Sequence, residues 1–208
     1  MQIIKRLVAN DKYKIKCPYT MTPEYITIHN TANDAPAANE ISYMSNNNNE
    51  VSFHIAVDDK EAIQGIPFNR NAWHAGDGGK GIGNRRSIAI EICYSKSGGE
   101  RFNKAVVNAI EVTAQLMKEF NIPAENIRYH KDWSGKNCPH RLLAQGDDVA
   151  YFRQVAQAKY NQLYKTVKPD PAVMYQVVTG SFKDRANANK RIAELKAKGF
   201  DSFLQVKK

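Results

Sequence analysis

The stretch Arg128-Tyr-His-Lys-Asp-Trp-Ser-Gly-Lys-Asn-Cys-Pro-His140 holds His130 and Cys138 with seven residues between them. Its density of Gly, Asn, Asp and Pro predicts a loop, neither a helix nor a central strand. Such a loop can curl until an imidazole nitrogen and a thiolate sulfur meet. Both suit zinc, and a catalytic zinc site usually combines three protein ligands with a water. The segment therefore requires a third donor from elsewhere, which makes it decisive for the fold.

Outward from it, Tyr25-Ile-Thr-Ile-His29 alternates as a strand does, with Ile26 and Ile28 on one face and Tyr25, Thr27 and His29 on the other. His29 ends this strand and opens into the polar loop Asn30-Thr-Ala-Asn-Asp. Among the histidines at 29, 54, 74, 130 and 140, it is the best third ligand. The competing reading is a buried Cys138 thiol beside two unrelated histidines. Ser87-Ile-Ala-Ile-Glu-Ile92 reads as a central strand with Ile88, Ile90 and Ile92 on one face. Glu91 lies on the other, as a surface charge or as a carboxylate that moves protons beside a metal. Lys136 is a solvated lysine or an oxyanion-stabilising ammonium.

Val51-Ser-Phe-His-Ile-Ala-Val57 predicts a strand, and Asp58-Asp-Lys a hairpin turn into another over residues 61–66. Phe53 and His54 point to opposite faces, and alternation does not say which one looks at the metal. Helices are predicted over 36–46, 102–120 and 147–164, with an irregular wrap over 1–24. The glycine-rich loop 70–84 carries Trp73 and His74 and can lie across a cleft. It lacks the Gly-Lys-Ser/Thr ending of a phosphate-binding loop. Trp73 and Phe68 either stack on a sugar ring or cover the core.

The expected organisation is a catalytic domain over 1–164, a linker over 165–172 around Thr166-Val-Lys-Pro-Asp-Pro171, and a basic β-α-β module over 173–208. In the module, strands at 174–178 and 203–206 flank a helix over 184–198, with Asp184 as its N-cap. One such unit is too small to bury its own core, so it must pair with a second copy, pack on the first domain, or be part of a longer domain. From Ala172 onward eight Lys/Arg face three Asp/Glu, which places five of the nine net positive charges there. That balance suits an anionic partner such as a bacterial wall. No nucleic-acid motif appears, and no segment approaches a membrane span. The start Met-Gln-Ile-Ile-Lys-Arg-Leu-Val predicts no signal peptide, hence synthesis in the cytosol. Cys17, Cys93 and Cys138 argue for thiols and a ligand, not a disulfide framework.

Five ordered motifs carry a resemblance over about residues 1–160: Ile26-Thr-Ile-His-Asn-Thr31, Val51 to Val57, Ala72-Trp-His-Ala-Gly76, Ser87-Ile-Ala-Ile-Glu91, and His130 through Cys138-Pro139. They resemble the zinc-dependent N-acetylmuramoyl-L-alanine amidases of the phage-lysozyme and peptidoglycan-recognition-protein type. Cys17-Pro-Tyr-Thr-Met21 and Glu91-Ile-Cys-Tyr-Ser-Lys-Ser-Gly-Gly99 look closest to endolysins from phages of Gram-positive rods. The resemblance implies an α/β fold, a mixed central sheet flanked by helices, with zinc in an open groove. It implies zinc ligands at His29, His130 and Cys138, an acid/base at Glu91 and a lysine near the metal at Lys136. Trp73, His74, Phe53 and His54 are the candidate substrate contacts. The implied reaction cuts the amide between the lactyl group of N-acetylmuramic acid and L-alanine in Gram-positive peptidoglycan, lysing the wall after release from the host cytoplasm.

Some members of that family carry a tyrosine where this chain has Phe53, which moves more of the proton work to Glu91. The tail looks like half of a sporulation-related (SPOR) peptidoglycan-binding domain, able to dimerise. Two other readings stand beside this one. A wall-recognition protein that does not cut commonly lacks the cysteine ligand, which is present here. A nucleic-acid binder is suggested only by the charge.

Overall fold

The computed structural model describes residues 1–165, 180–200 and 202–204. The chain divides into two compact units, Met1–Thr166 and Val167–Lys208, taken separately below.

In the first unit six strands form one sheet among the described residues: β1 (Ile3–Lys5), β2 (Tyr25–Asn30), β3 (Ile55–Val57), β4 (Ala62–Gln64), β5 (Ser87–Ile92) and β6 (Ile127–Tyr129). Their spatial order is β1-β4-β3-β5-β2-β6. Only β3 and β4 pair antiparallel; the other neighbours run parallel. The helices are α1 (Tyr13–Lys16), α2 (Ala37–Asn46), α3 (Ile82–Arg86), α4 (Gly99–Phe120), α5 (His130–Ser134), α6 (His140–Ala144) and α7 (Val149–Tyr164). This is the expected mixed sheet flanked by helices.

β2 and β5 lie at the centre and are buried on both faces, as parallel strands usually are. Ile26, Ile28, Ile88, Ile90 and Ile92 are fully buried. Each such side chain contributes roughly 1.5–3 kcal/mol. Thr27 and Ser87 are equally buried, and their hydroxyls are 2.5 Å apart. Trp133 Nε1 donates to Thr27 Oγ1 at 2.9 Å, so this polar pair is satisfied inside the protein. One step further along, His29 and Glu91 are Cα partners near the carboxyl ends of the two strands. Ligands in open α/β sheets gather at that end.

α4 supplies the largest apolar helix face. Phe102, Ala105, Ala109, Val112, Leu116 and Met117 are buried along it. It stops where Asn121 turns left-handed at φ 52° and returns its N–H to the Met117 carbonyl. The β3–β4 turn closes on Asp58, whose Oδ1 accepts from the N–H groups of Lys60 and Glu61. Cys17 and Cys93 are free, buried thiols.

Three sequence expectations are corrected. Residues 1–24 are not all irregular: Ile3–Lys5 adds a parallel edge strand to β4. The predicted strand over 51–57 is regular only at Ile55–Val57. The loop after Arg128 begins as a helix, α5, one turn long, which the local composition concealed. Asp132 Oδ2 accepts the Tyr129 N–H at its start, and Gly135, at φ 76°, ends it.

In the second unit α8 (Arg185–Ala197) forms where a helix was expected, with the Asp184 carboxylate accepting the Ala186 N–H. The strand expected at 174–178 and most of the 165–172 linker fall outside the described residues, as do positions 205–206 of the strand expected at 203–206, whose Phe203 and Leu204 are not in a strand. No described helix is long and apolar enough to cross a membrane.

Candidate metal and catalytic site

Three donors from distant parts of the chain converge. His29 comes from β2, His130 from the first position of α5, and Cys138 from the segment between α5 and α6. Their ligand atoms lie within 4.8 Å of one another, and all three residues are buried. His29 Nδ1 is 3.7 Å from Cys138 Sγ. A tetrahedral zinc with ordinary Zn–N and Zn–S bonds would separate such a pair by about 3.6 Å. Two imidazoles and a thiol are a donor set that zinc takes, so the residues present fit the ion.

The local sequence explains how the three are held. Asn30, immediately after His29, accepts through Oδ1 from the N–H groups of Arg141 and, at longer range, Leu142. This joins the end of β2 to the start of α6. Arg141 reaches on to the carbonyls of Ser95 and Lys96. The Lys131 N–H donates to the Cys138 carbonyl at 2.9 Å, folding the cysteine back against α5. The glycine-rich loop passes close over His130. A Cβ on Gly76, at φ 70°, would sit 3.0 Å from Ser134 Oγ and 3.5 Å from His130 Nε2.

The electrostatics suit neutral imidazole donors. Burial holds His29 well below the usual imidazole range, helped by His74, His130 and Lys136. His130 is pushed down to about 4, by burial and then by the Lys136 ammonium. Both imidazoles are therefore neutral and able to ligate. Burial, with Glu91 adding to it, raises the Cys138 thiol to about 12. A cation between the donors reverses that balance and deprotonates a coordinating thiol.

Glu91 lies beside the donors, with Oε1 4.0 Å from His29 Nδ1 and its side chain 18% exposed. Its Oε2 is buried without a hydrogen-bond partner. Burial raises its carboxyl to about 8, with Glu40 adding to the shift and Lys136 opposing it. Glu40 lies on α2 and accepts from Asn33 Nδ2 at 2.6 Å. Lys136 is exposed. Its charge acts on His29, His130, Cys138 and Glu91.

The other candidates divide. His74 is buried against the site, its Nδ1 3.0 Å from His29 Nε2. Trp73 is half-buried, donates to the Ile15 carbonyl and meets Tyr19 edge-on. Phe53 is buried in the core, and Phe68 packs on Phe120 and His54. His54 has no exposed surface. Its Nδ1 accepts the Ala89 N–H, and its Nε2 is 2.9 Å from the Arg70 carbonyl. With both nitrogens committed to backbone, His54 is corrected from a groove contact to a structural residue. Sequence reading missed Asn30 and Asn84. For Asn30 the available signal was its place directly after His29 at the end of the strand; for Asn84 local pattern offered none.

Against known proteins, the family described as N-acetylmuramoyl-L-alanine amidase matches residues 19–141, and the SPOR domain family matches 147–206. The second match begins within the first unit, because α7 buries Phe152 and Ala156 in that unit's core. The N-acetylmuramoyl-L-alanine amidase CwlA of Bacillus subtilis (strain 168) is 61% identical over 146 residues, covering 70% of this chain and 54% of that protein. A CwlA from Bacillus sp is 50% identical over 182 residues, covering 88% and 72%. The solved structure of PlyL is 64% identical with a TM-score of 0.72, covering 74% of this chain and 97% of that one. The chain thus spans about half the length of the Bacillus subtilis relative.

Proposed function

The chain belongs to the N-acetylmuramoyl-L-alanine amidase family, and on that premise we propose that it hydrolyses the amide joining N-acetylmuramic acid to L-alanine in Gram-positive peptidoglycan, as a lytic enzyme of the endolysin type. The observation that carries this reading is the meeting of His29, His130 and Cys138 within 4.8 Å, beside the half-buried Glu91 carboxyl.

His29, His130 and Cys138 would hold zinc. Bound there, zinc supplies Lewis acidity, polarising the lactyl carbonyl and making water a stronger acid. Glu91 takes a proton from the attacking water through a carboxylate oxygen. The water oxygen bonds to the carbonyl carbon, and the carbon–nitrogen bond breaks. Glu91 then delivers the same proton to the departing L-alanine nitrogen. Burial favours the protonated form that gives the proton to nitrogen, and a cation at the three donors favours the carboxylate that takes it from water. Lys136, exposed yet electrostatically coupled to the site, steadies the negative charge that grows on the carbonyl oxygen. Phe53 has no proton to give, so Glu91 carries the acid/base work alone.

Trp73 offers an aromatic edge for substrate at the glycine-rich loop. The basic tail, which the SPOR family matches, binds the wall and keeps the enzyme on its polymer. Pairing of two copies through the tail rests only on the small size of one β-α-β unit.

The test is digestion of purified Gram-positive walls, followed by counts of new free L-alanine amino groups and new reducing sugars. Amino groups without reducing sugars are expected. Reducing sugars would instead assign a glycosidase.

A further inference from the structure

We propose that His74 is a positioning residue for the metal ligand His29, fixing its tautomer and ring orientation through the Nε2···Nδ1 contact. This inference rests on the metal-site reading above and deepens it.

His29 presents Nδ1 to the site: that atom is 3.7 Å from Cys138 Sγ and 4.0 Å from Glu91 Oε1. A neutral imidazole bears one proton, and a ligating nitrogen must be bare. The His29 proton therefore belongs on Nε2. That atom is 3.0 Å from His74 Nδ1 and has no other hydrogen-bond partner among the described residues. His29 donates, His74 accepts, and the His74 proton is left on Nε2. The reverse arrangement would put a proton on His29 Nδ1, aimed at the sulfur, and close the position to a cation.

The geometry is rigid enough for that task. The rings meet edge to face, with centroids 5.1 Å apart and planes at 86°. The His74 backbone is pinned because Asn84 Oδ1 accepts from the N–H groups of both His74 and Ala75, each at 2.8 Å. Asn84 is held in turn: its N–H donates to Asp77 Oδ1 and its Nδ2 to the Gly78 carbonyl. The glycine-rich loop is thus a bracket that delivers one acceptor to one ring nitrogen.

Besides His29, the His74 ring lies near the Ser87 and Gly83 carbonyls. Its Nε2 is buried and makes no well-formed hydrogen bond. A buried donor without a partner costs stability. His54, a short distance away, shows what a structural histidine looks like, since both of its nitrogens meet the backbone. His74 instead turns Nδ1 to the ligand His29 and leaves Nε2 without a hydrogen bond of good geometry. Metal-binding histidines commonly donate their second nitrogen to a fixed acceptor, and loss of that acceptor weakens metal binding about 10–100-fold.

The experiment measures zinc dissociation constants by chelator competition on the full chain, for wild type, His74→Asn, His74→Ala and His74→Phe. Asparagine keeps an acceptor near the position of Nδ1, whereas alanine and phenylalanine remove it. His74→Ala and His74→Phe are expected to weaken zinc about 10–100-fold, and His74→Asn to stay within about threefold of wild type. A long-range nitrogen–proton spectrum of the metal-free protein should show His29 protonated at Nε2 in wild type and a mixture of tautomers in His74→Ala, a readout that a merely structural role would not set. Wild-type affinity in the alanine and phenylalanine variants, equal weakening in all three, or a His29 proton on Nδ1 overturns the proposal. A wild-type chain that takes up no zinc removes the metal-site reading and this inference together. A zinc-binding wild type with an indifferent His74 removes this inference alone.

Discussion

Two regions of one sheet face each bury a histidine. At the carboxyl end of β2, His29 keeps Nδ1 turned toward a cysteine and a glutamate. Deeper in the sheet, His54 has Nδ1 on the Ala89 N–H and Nε2 on the Arg70 carbonyl. Burial depresses both pKa values, His54 to about 4. Burial and titration therefore do not separate a ligand from a strut. What separates them is whether the backbone has already used both ring nitrogens.

The largest effect should come from breaking the His29 side of that contrast. His29→Ala is expected to abolish stoichiometric zinc binding and to reduce wall clearing at least about 10³-fold. Metal analysis beside a turbidity assay checks both at once, and clearing without metal would break the comparison. Glu91→Gln comes next. It should keep zinc within about threefold yet lose about 10²–10⁴-fold in kcat, because the proton shuttle is removed and the ligands are not. Zinc retention with near wild-type cutting would take the shuttle away from Glu91.

The pH dependence of metal-free stability sharpens the same contrast. His29, His54, His74 and His130 all have depressed folded pKa values. Below pH about 6.5 the unfolded chain binds more of these protons, so stability falls as pH falls. Glu91 works the other way. Its folded pKa is raised to about 8, so its contribution is present below its unfolded value near 4.5 and is lost as pH rises through about 8. Four histidines outweigh one glutamate on the acid side. Between pH about 6.5 and 8 Glu91 acts alone among the site's shifted groups, apart from the thiol that stays protonated. Urea unfolding of the metal-free protein should therefore show stability highest near pH 6.5 and declining toward pH 8.5. The part of the decline between pH about 6.5 and 8 should shrink in Glu91→Gln, leaving what the raised Cys17, Cys93 and Cys138 thiols contribute at higher pH. A flat alkaline limb in wild type would show that Glu91 is not desolvated as the geometry requires.

Much of this was legible in the sequence because two periodicities carried it. Alternation in Tyr25 to His29 and in Ser87 to Ile92 placed a histidine and a glutamate at comparable strand positions. Register then made them Cα partners. The His130–Cys138 spacing named the other two site residues, but composition hid that His130 opens a helical turn. His74 was legible only as a residue in a glycine-rich loop. Its contact with His29 spans 45 positions and depends on Asn84, which local pattern cannot reveal. His54 was misjudged because alternation reports which face a side chain takes, not whether backbone groups already fill its hydrogen bonds. The tail was read as a β-α-β unit, of which the described residues show the helix, and that helix buries none of its own residues. A surface of that kind gives sequence patterning little core to report.

The smallest predicted effect on metal binding falls at His54, and it tests the other half of the contrast. His54→Ala removes a ring that accepts from one backbone group and reaches another, and it opens space in a fully buried position. Leaving the Ala89 N–H without its acceptor costs about 1–3 kcal/mol, and the cavity adds to that loss. Urea unfolding should therefore show a destabilisation of at least about 2 kcal/mol. The zinc dissociation constant, measured well below the unfolding transition, should stay within about threefold of wild type, because neither His54 nitrogen was available to the site. A variant that folds but loses zinc as His29→Ala does would mean that the two regions act as one, and that an unused ring nitrogen is not what makes a buried histidine a ligand.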